Sequence, residues 1–277
     1  MLFSGNCVKV ETEGALAWVT IDNPPANVIT SELFGELVSL IGELAADEAL
    51  KVVVFKSANP DFFMAHFDVS AIIEMATDGR EAASEVLAAF HDMLRALRHM
   101  DKVVIGQIVG RIGGGGAEIA MNFDMRFGVR GKTRFNQMEV PLGILPGGSG
   151  TQMLPRLIGR GRAMELVLGA DDLDAETAEY WGLLNRTYEA DEIYDRINAL
   201  ARRIASFPKP AIALAKESIN NADKPLEEGL ADEQRLFVDL LATPEASRQM
   251  MRFMDAGGQT AEEELRIADL SGEICRD

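Results

Sequence analysis

The sequence predicts an α/β protein with largely parallel strand pairing, followed by a helical C-terminal region. Three observations carry this. Short apolar runs alternate with amphipathic helical patterns through the first 200 residues. A mostly apolar run, Ile108-Val109-Gly110-Arg111-Ile112, feeds four glycines, Gly113 to Gly116, and a helical pattern then begins. After Ile204 the texture changes: Phe207-Pro208-Lys209-Pro210 is a breaker, and beyond it only helices joined by short turns are legible. Strand–helix alternation of this kind belongs to sheets covered by helices.

The elements follow in order. Val8–Glu11 and Leu16–Ile21 read as strands with a short turn around Gly14. Ser31–Leu44 reads as a helix, because Phe34, Leu37, Ile41 and Leu44 recur at three- and four-residue spacing. Val52–Phe55 is a short apolar strand of the kind buried on both faces. A loop rich in Asn, Pro and Asp runs to Asp61, and Asp68 is placed to cap a helix through Met75. A longer helix spans Arg80 to Met100, with Val86, Phe90, Leu94 and Leu97 on one face. Val103–Val109 is the next buried strand.

Bulk properties narrow the function. The 277 residues suffice for one large domain with an appendage, or for two domains. A net charge of −17 argues against nucleic acid or an anionic membrane surface as partner. Any anionic ligand then needs a local basic patch. Cys7 and Cys275 are too few for a disulfide framework or a thiolate metal site. The start, Met1 to Asn6, lacks the basic and apolar pattern of a signal peptide, and no stretch approaches a membrane helix in length. The expectation is a cytoplasmic protein without a metal.

Three segments carry candidate chemistry. The first is Pro60-Asp61-Phe62-Phe63-Met64-Ala65-His66-Phe67-Asp68, a loop running into a helix start. The second is the glycine run with Glu118. Glycine lets backbone approach a ligand closely, and a helix start offers N–H groups without internal partners. Together they suit an oxygen that gains negative charge. The third runs from Phe135 through Gln137 and Glu139 to Gly147-Gly148-Ser149-Gly150-Thr151-Gln152, a carboxylate ahead of another glycine-rich helix start. Taken singly each has an ordinary reading: glycines before helices often mark tight packing, and a helical Glu is usually solvated. Glu118, however, is flanked by Ala117, Ile119 and Ala120, which suits a buried wall. The glycines do not fit the dinucleotide fingerprint, no phosphate-loop Gly-Lys-Ser/Thr is present, and no His-Glu-x-x-His motif occurs.

In this order the three segments resemble the crotonase superfamily, the enoyl-CoA hydratase and isomerase family. The shared marks are an Ala-Gly-x-Asp-like loop at Ala65–Asp68, a Gly-Gly-Gly-x-Glu helix start ending at Glu118, and Gln137-x-Glu139 leading to Leu142-Gly143, Pro146-Gly147 and Gly150-Thr151-Gln152. Leu154-Pro155-Arg156-Leu157-Ile158-Gly159 and the helices around Ala163–Gly169 and Ala175–Gly182 extend it. The resemblance implies a crotonase-like spiral of ββα repeats, here residues 1–204, and a C-terminal helical region, residues 205–277, that helps form homo-trimers, often paired into hexamers.

The resemblance also implies an acyl-CoA thioester as ligand, with coenzyme A entering as part of the substrate and no separate cofactor. The thioester oxygen would be held by the backbone N–H groups of Phe67 and Gly115. Ala65 would offer a carbonyl to the adenine, with His66, Asp68 and Gly114 also contacting substrate or coenzyme. Glu118 and Glu139 match the family's catalytic pair, the mark of its hydratase branch: Glu118 would orient water and Glu139 exchange a proton with the α-carbon. The alternatives are isomerisation or thioester hydrolysis on the same fold, or a non-catalytic acyl-CoA-binding oligomeric protein.

There are departures. His66 and Phe67 stand where the family has glycine and a small residue; they either narrow the pocket or pack the loop, or His66 touches substrate or phosphate. Met138 replaces a usual proline and Met153 a usual arginine. Asn23 to Asn27 lacks the basic residue often found near the coenzyme phosphates, and the tail offers no obvious match to a late lysine. From Pro225 onward 13 acidic residues face 5 basic ones, and Leu236, Phe237, Leu240 and Leu241 cluster within that stretch. Such a tail must pack on the body or on a neighbouring subunit.

Overall fold

A computed structural model describes residue 3 and residues 5–275. Strands β1 (Val8–Glu13) and β2 (Leu16–Ile21) form an antiparallel hairpin whose turn uses Gly14 at φ 57°. Helix α1 (Ser31–Ala46) follows, capped by the Thr30 hydroxyl accepting from Leu33 N. The chain then repeats one unit three times. Each unit lays a strand in a large sheet, steps to a strand in a second, smaller sheet, and closes with helix.

The first unit is β3 (Val52–Ser57), β4 (Phe62–Met64), then α2 (Val69–Asp78) and α3 (Arg80–His99). The second is β5 (Val103–Ile108), β6 (Arg111–Gly113) and α4 (Gly114–Met121). The third is β7 (Met125–Val129), β8 (Arg134–Asn136) and, past the loop that holds Glu139, α5 (Gly150–Ile158) and α6 (Arg160–Gly169). The remaining elements are β9 (Leu173–Asp174), α7 (Ala175–Trp181) and β10 (Arg186–Tyr188). The large sheet runs β1-β2-β3-β5-β7-β10 and is parallel from β2 onward; the small one runs β4-β6-β8-β9, with only β9 antiparallel. This is the ββα spiral that the resemblance implies.

The step between sheets requires glycine at one point. Gly110 sits at φ 80°, and a Cβ there would lie 2.2 Å from the Asp61 carbonyl oxygen. No L side chain fits that backbone crossing. The small sheet itself is an addition to the sequence reading, in which Phe62–Met64 fell in a loop and Arg111–Gly113 in the glycine run. Three-residue strands are too short to show an alternating pattern.

Side-chain alternation divides the apolar residues between two layers. Ala17, Val19 and Ile21 of β2 face the main core with Val53, Phe55 and Val104. Leu16 and Trp18 point the other way, with Val54 and Ile105, against Ile193 and Ile197 of α8 (Ile193–Ser206) and Ile212 of α9 (Lys209–Asn220). Each large apolar side chain so buried contributes about 1.5–3 kcal/mol. Helix α9 is also pinned by charge: Lys216 Nζ lies 2.8 Å from Asp124 Oδ2 and donates to the Lys102 carbonyl at 2.8 Å. At the other end, Glu36 accepts from the backbone N–H groups of Asn6 and Cys7, tying the N-terminal segment to α1.

The last elements are α10 (Leu226–Leu241), α11 (Pro244–Asp255), α12 (Ala261–Glu264) and α13 (Ile267–Glu273). Helix α13 returns to the body: Leu270 is buried, and Arg203 of α8 donates to the Ala268 carbonyl. Of the expected apolar cluster only Leu236 is buried, whereas Phe237 is 60% and Leu241 46% exposed. No helix among the described residues is long and apolar enough to cross a membrane.

Candidate active site

The two glycine-rich segments and the Ala65–Asp68 loop converge on one cavity of about 660 Å³, lined by His66, Phe67, Gly115, Glu118, Glu139 and Gly148 among others. The loop is held from one side by the Asn27–Ile29 segment. Ala65 N donates to Asn27 O at 3.3 Å, Ile29 N to His66 O at 2.8 Å, and Asp68 N to Ile29 O at 3.0 Å. Between these bonds the Phe67 N–H has no acceptor among the described residues. Gly115 stands opposite, in the first turn of α4: a Cβ placed on it would lie 3.5 Å from Phe67 N. Its N–H belongs to the helix start and likewise has no intrahelical acceptor. Two unspent backbone donors therefore face one space, and the bulky Phe67 side chain does not interrupt them. It packs instead against Phe34 and Phe90, at ring-centroid distances of 5.6 Å and 6.1 Å.

Gly114 shows why the run must be glycine. Its φ is +44°, and a Cβ would sit 2.9 Å from His66 Cβ and 3.1 Å from Glu139 Oε1. The carboxyl of Glu139 thus abuts the start of α4. Glu139 itself heads a short 3-10 turn, Val140–Leu142, and is 9% exposed. Its Oε2 is buried and has no hydrogen-bond partner among the described residues. Burial raises its proton affinity, and the nearby His66 opposes this in part.

Glu118 is 3% exposed. Its Oε1 accepts from Gly150 N at 2.7 Å. A Cβ on Gly148 would lie 2.7 Å from Glu118 Oε2 and 2.1 Å from a Phe90 ring carbon, so only glycine fits beside this carboxyl. Burial pushes the Glu118 pKa up to about 8; the Gly150 N–H opposes the rise and the charge of Glu139 adds to it. Two carboxyls, both raised in proton affinity by burial and one raised further by the other, are an arrangement that can divide acid and base duties.

A polar relay outside the cavity fixes Glu118. Asn122, one turn further along α4, donates from Nδ2 to the Glu118 carbonyl at 2.6 Å and to Ser149 Oγ at 2.9 Å. Arg98 of α3 donates to Asn122 Oδ1. Ser149 is held at φ 92°, in the left-handed region, and the next residue supplies the N–H that binds Glu118.

Five of the residues singled out in sequence, His66, Phe67, Gly115, Glu118 and Glu139, line the cavity together, and Gly114 packs directly behind two of them. Ala65 is buried beside Gly113, with its carbonyl 3.2 Å from where that glycine's Cβ would be. Asp68 is not in the cavity wall; its carboxylate accepts from Ser70 N at 2.9 Å and caps α2. His66 Nδ1 lies 2.8 Å from the Phe67 carbonyl. Asn27 and Asn122 had not been singled out. Asn27 is fully buried at φ 52°, and its Nδ2 reaches Ser57 Oγ and the carbonyls of Phe62 and Phe63. Neither asparagine carries a clear local signal, because the partners that tie each to the site, Ser57, Phe62 and Phe63 for Asn27 and Ser149 for Asn122, are distant in sequence.

Related proteins match this chain over most of its length. A Clostridium acetobutylicum protein named short-chain-enoyl-CoA hydratase is 35% identical over 253 residues, covering 90% of this chain and 95% of its own. The solved structure of Pseudomonas aeruginosa DspI superposes with a TM-score of 0.84 at 31% identity, over 92% of this chain and 96% of that one. An enoyl-CoA hydratase from Bacillus anthracis gives 0.84 at 26% identity, over 91% and 97%. The sequence pattern that defines the enoyl-CoA hydratase/isomerase group matches residues 11–261. The chain belongs to the enoyl-CoA hydratase/isomerase family.

Proposed function

We propose that the protein is an enoyl-CoA hydratase that adds water across the 2,3 double bond of an enoyl-CoA thioester. The observation that carries this is the pairing of Glu118 and Glu139, two buried carboxyls of raised proton affinity, with two unspent N–H donors on one cavity. The thioester oxygen accepts from Phe67 N–H and Gly115 N–H, which stabilise the negative charge it gains as the β-carbon is attacked. The oxygen of water bonds to the β-carbon. Its proton passes to the Glu118 carboxylate, and the Glu139 carboxyl proton passes to the α-carbon. One water is added, and the pair ends with the one proton it began with. Once ionised, a carboxylate whose pKa is about 8 is a far better base than an ordinary one, so Glu118 takes the water's proton only in its ionised fraction and turnover rises as pH approaches 8.

The likeness to named hydratases supports this reading, and the retained pair favours it over isomerisation, which on this fold often uses one carboxylate. Coenzyme A enters with the substrate, and no further cofactor takes part. The net charge of −17 and two free cysteines fit a cytoplasmic protein, and the exposed apolar face of α10 fits assembly into a trimer or hexamer. The product's mass separates the reactions. A hydratase returns an intact thioester heavier by one water, an isomerase one of unchanged mass, and a hydrolase free coenzyme A. Gain of one water supports the proposal; either of the other outcomes contradicts it.

A further inference from the structure

The cavity continues well past the reacting groups, and its shape speaks to the acyl group. Its inner end is fixed by Phe90, which packs beside Phe67 and close against Gly148. From there the walls are α2, through Val69, Ile72 and Ala76, and α3, through Phe90, Val86 and Ala83. The two helices form a hairpin about Gly79, so the far end lies near Ala76 and Ala83. Val69 to Ala76 and Ala83 to Phe90 each span seven residues, about 10 Å at about 1.5 Å per residue.

None of the ten residues of helix α2 is fully buried, and its Val69, Ile72 and Met75 line the cavity. Those three side chains are half-buried. The lining side chains along this stretch are aliphatic or aromatic and offer no polar group to a ligand.

Building on the hydratase reading, we infer that the acyl group is a linear alkyl chain of medium length, about eight to twelve carbons, lying between α2 and α3. An extended chain advances about 1.2 Å per bond, the same as extended backbone, so about eight bonds beyond the reacting carbons span the 10 Å wall. A four-carbon acyl group ends near Phe90 and does not reach the wall formed by Ile72, Ala76 and Ala83. The far end is not closed: Met75, Ala76, Ala83 and Leu87 also line an adjoining surface cavity, so a chain that overruns the wall meets solvent rather than a stop. Each methylene laid along the wall strengthens binding by about fourfold when fully buried.

The test is kcat/KM for trans-2-enoyl-CoA thioesters of four, six, eight and ten carbons, alongside affinities of the saturated acyl-CoAs of the same lengths, which cannot be hydrated. The inference expects kcat/KM and affinity both to rise tenfold or more from four to ten carbons. It also expects Ala83→Trp, which fills the far half, to lower the ten-to-four-carbon ratio of kcat/KM by tenfold or more. A flat series, or one highest at four carbons, overturns the chain-length inference and leaves hydration standing. A rising affinity series with no hydration at any length overturns the hydratase reading and supports the chain-length assignment.

Discussion

At the scale of the residue, the site works because carboxyls are held where water cannot easily reach them. Folded Glu118 keeps its proton up to about pH 8, whereas an unfolded glutamate releases it at about pH 4.3. Between these values the folded state binds more protons than the unfolded one, so Glu118 lowers stability as pH rises through that window. Glu118→Gln removes that penalty. Thermal unfolding should show the variant more stable than wild type by up to about 5 kcal/mol near pH 8, with the gap closing toward pH 4.3. A gap independent of pH would show that Glu118 is not held protonated. Glu118 and Glu139 were legible from sequence because each sits in a spaced glycine motif. The backbone donor at Phe67 came only from the family resemblance of the Ala65–Asp68 loop, which carries no glycine of its own. The asparagines were not legible, for Asn27 and Asn122 act through bonds that reach 27 to 36 residues along the chain.

At the scale of the element, α4 and the Ser149–Gly150 turn form one unit joined by Asn122. Arg98, Asn122 and Ser149 hold the turn that donates Gly150 N–H to Glu118. Asn122→Ala should therefore lower kcat by about ten- to a hundredfold. It should also move the pH–rate profile upward, because a weakened Gly150 donor leaves Glu118 with higher proton affinity. A variant with lower Tm and an unmoved pH profile would restrict Asn122 to a structural role. Longer elements were read well: α3 was expected over Arg80–Met100 and spans Arg80–His99, and the strand expected at Val103–Val109 ends at Ile108. The missing second sheet has a geometric cause. Strands β4 and β6 hold three residues each, and their pairing depends on Gly110 crossing Asp61, a contact made by chain segments about 50 residues apart.

At the scale of the whole molecule, two sheets and three ββα units place a loop, a helix start and a glycine-rich turn around one cavity, while α8 and α9 close the outer face of the large sheet. The C-terminal helices are unequally used. Leu236 and Leu270 are buried, but Phe237, Val238 and Leu241 form an exposed apolar face on α10, larger than isolated surface residues explain. Sedimentation should report a trimer or hexamer, and Phe237→Glu combined with Leu241→Glu should shift it to smaller species. A monomeric wild type would contradict the assembly proposed for this face. The sequence separates an apolar cluster from its setting poorly, because helical spacing shows that residues share a face and not what covers it.

The central claim is that Glu118 and Glu139 together hydrate an enoyl-CoA. It is tested most directly by following the enoyl-thioester absorbance after adding the purified protein to four- and ten-carbon trans-2-enoyl-CoA, with Glu139→Gln in parallel. The expected result is loss of absorbance with the wild type and a rate about 10²–10⁴-fold lower for the variant, while the saturated acyl-CoA still binds both. Equal rates for the two proteins, or no loss of absorbance with either substrate, would contradict it.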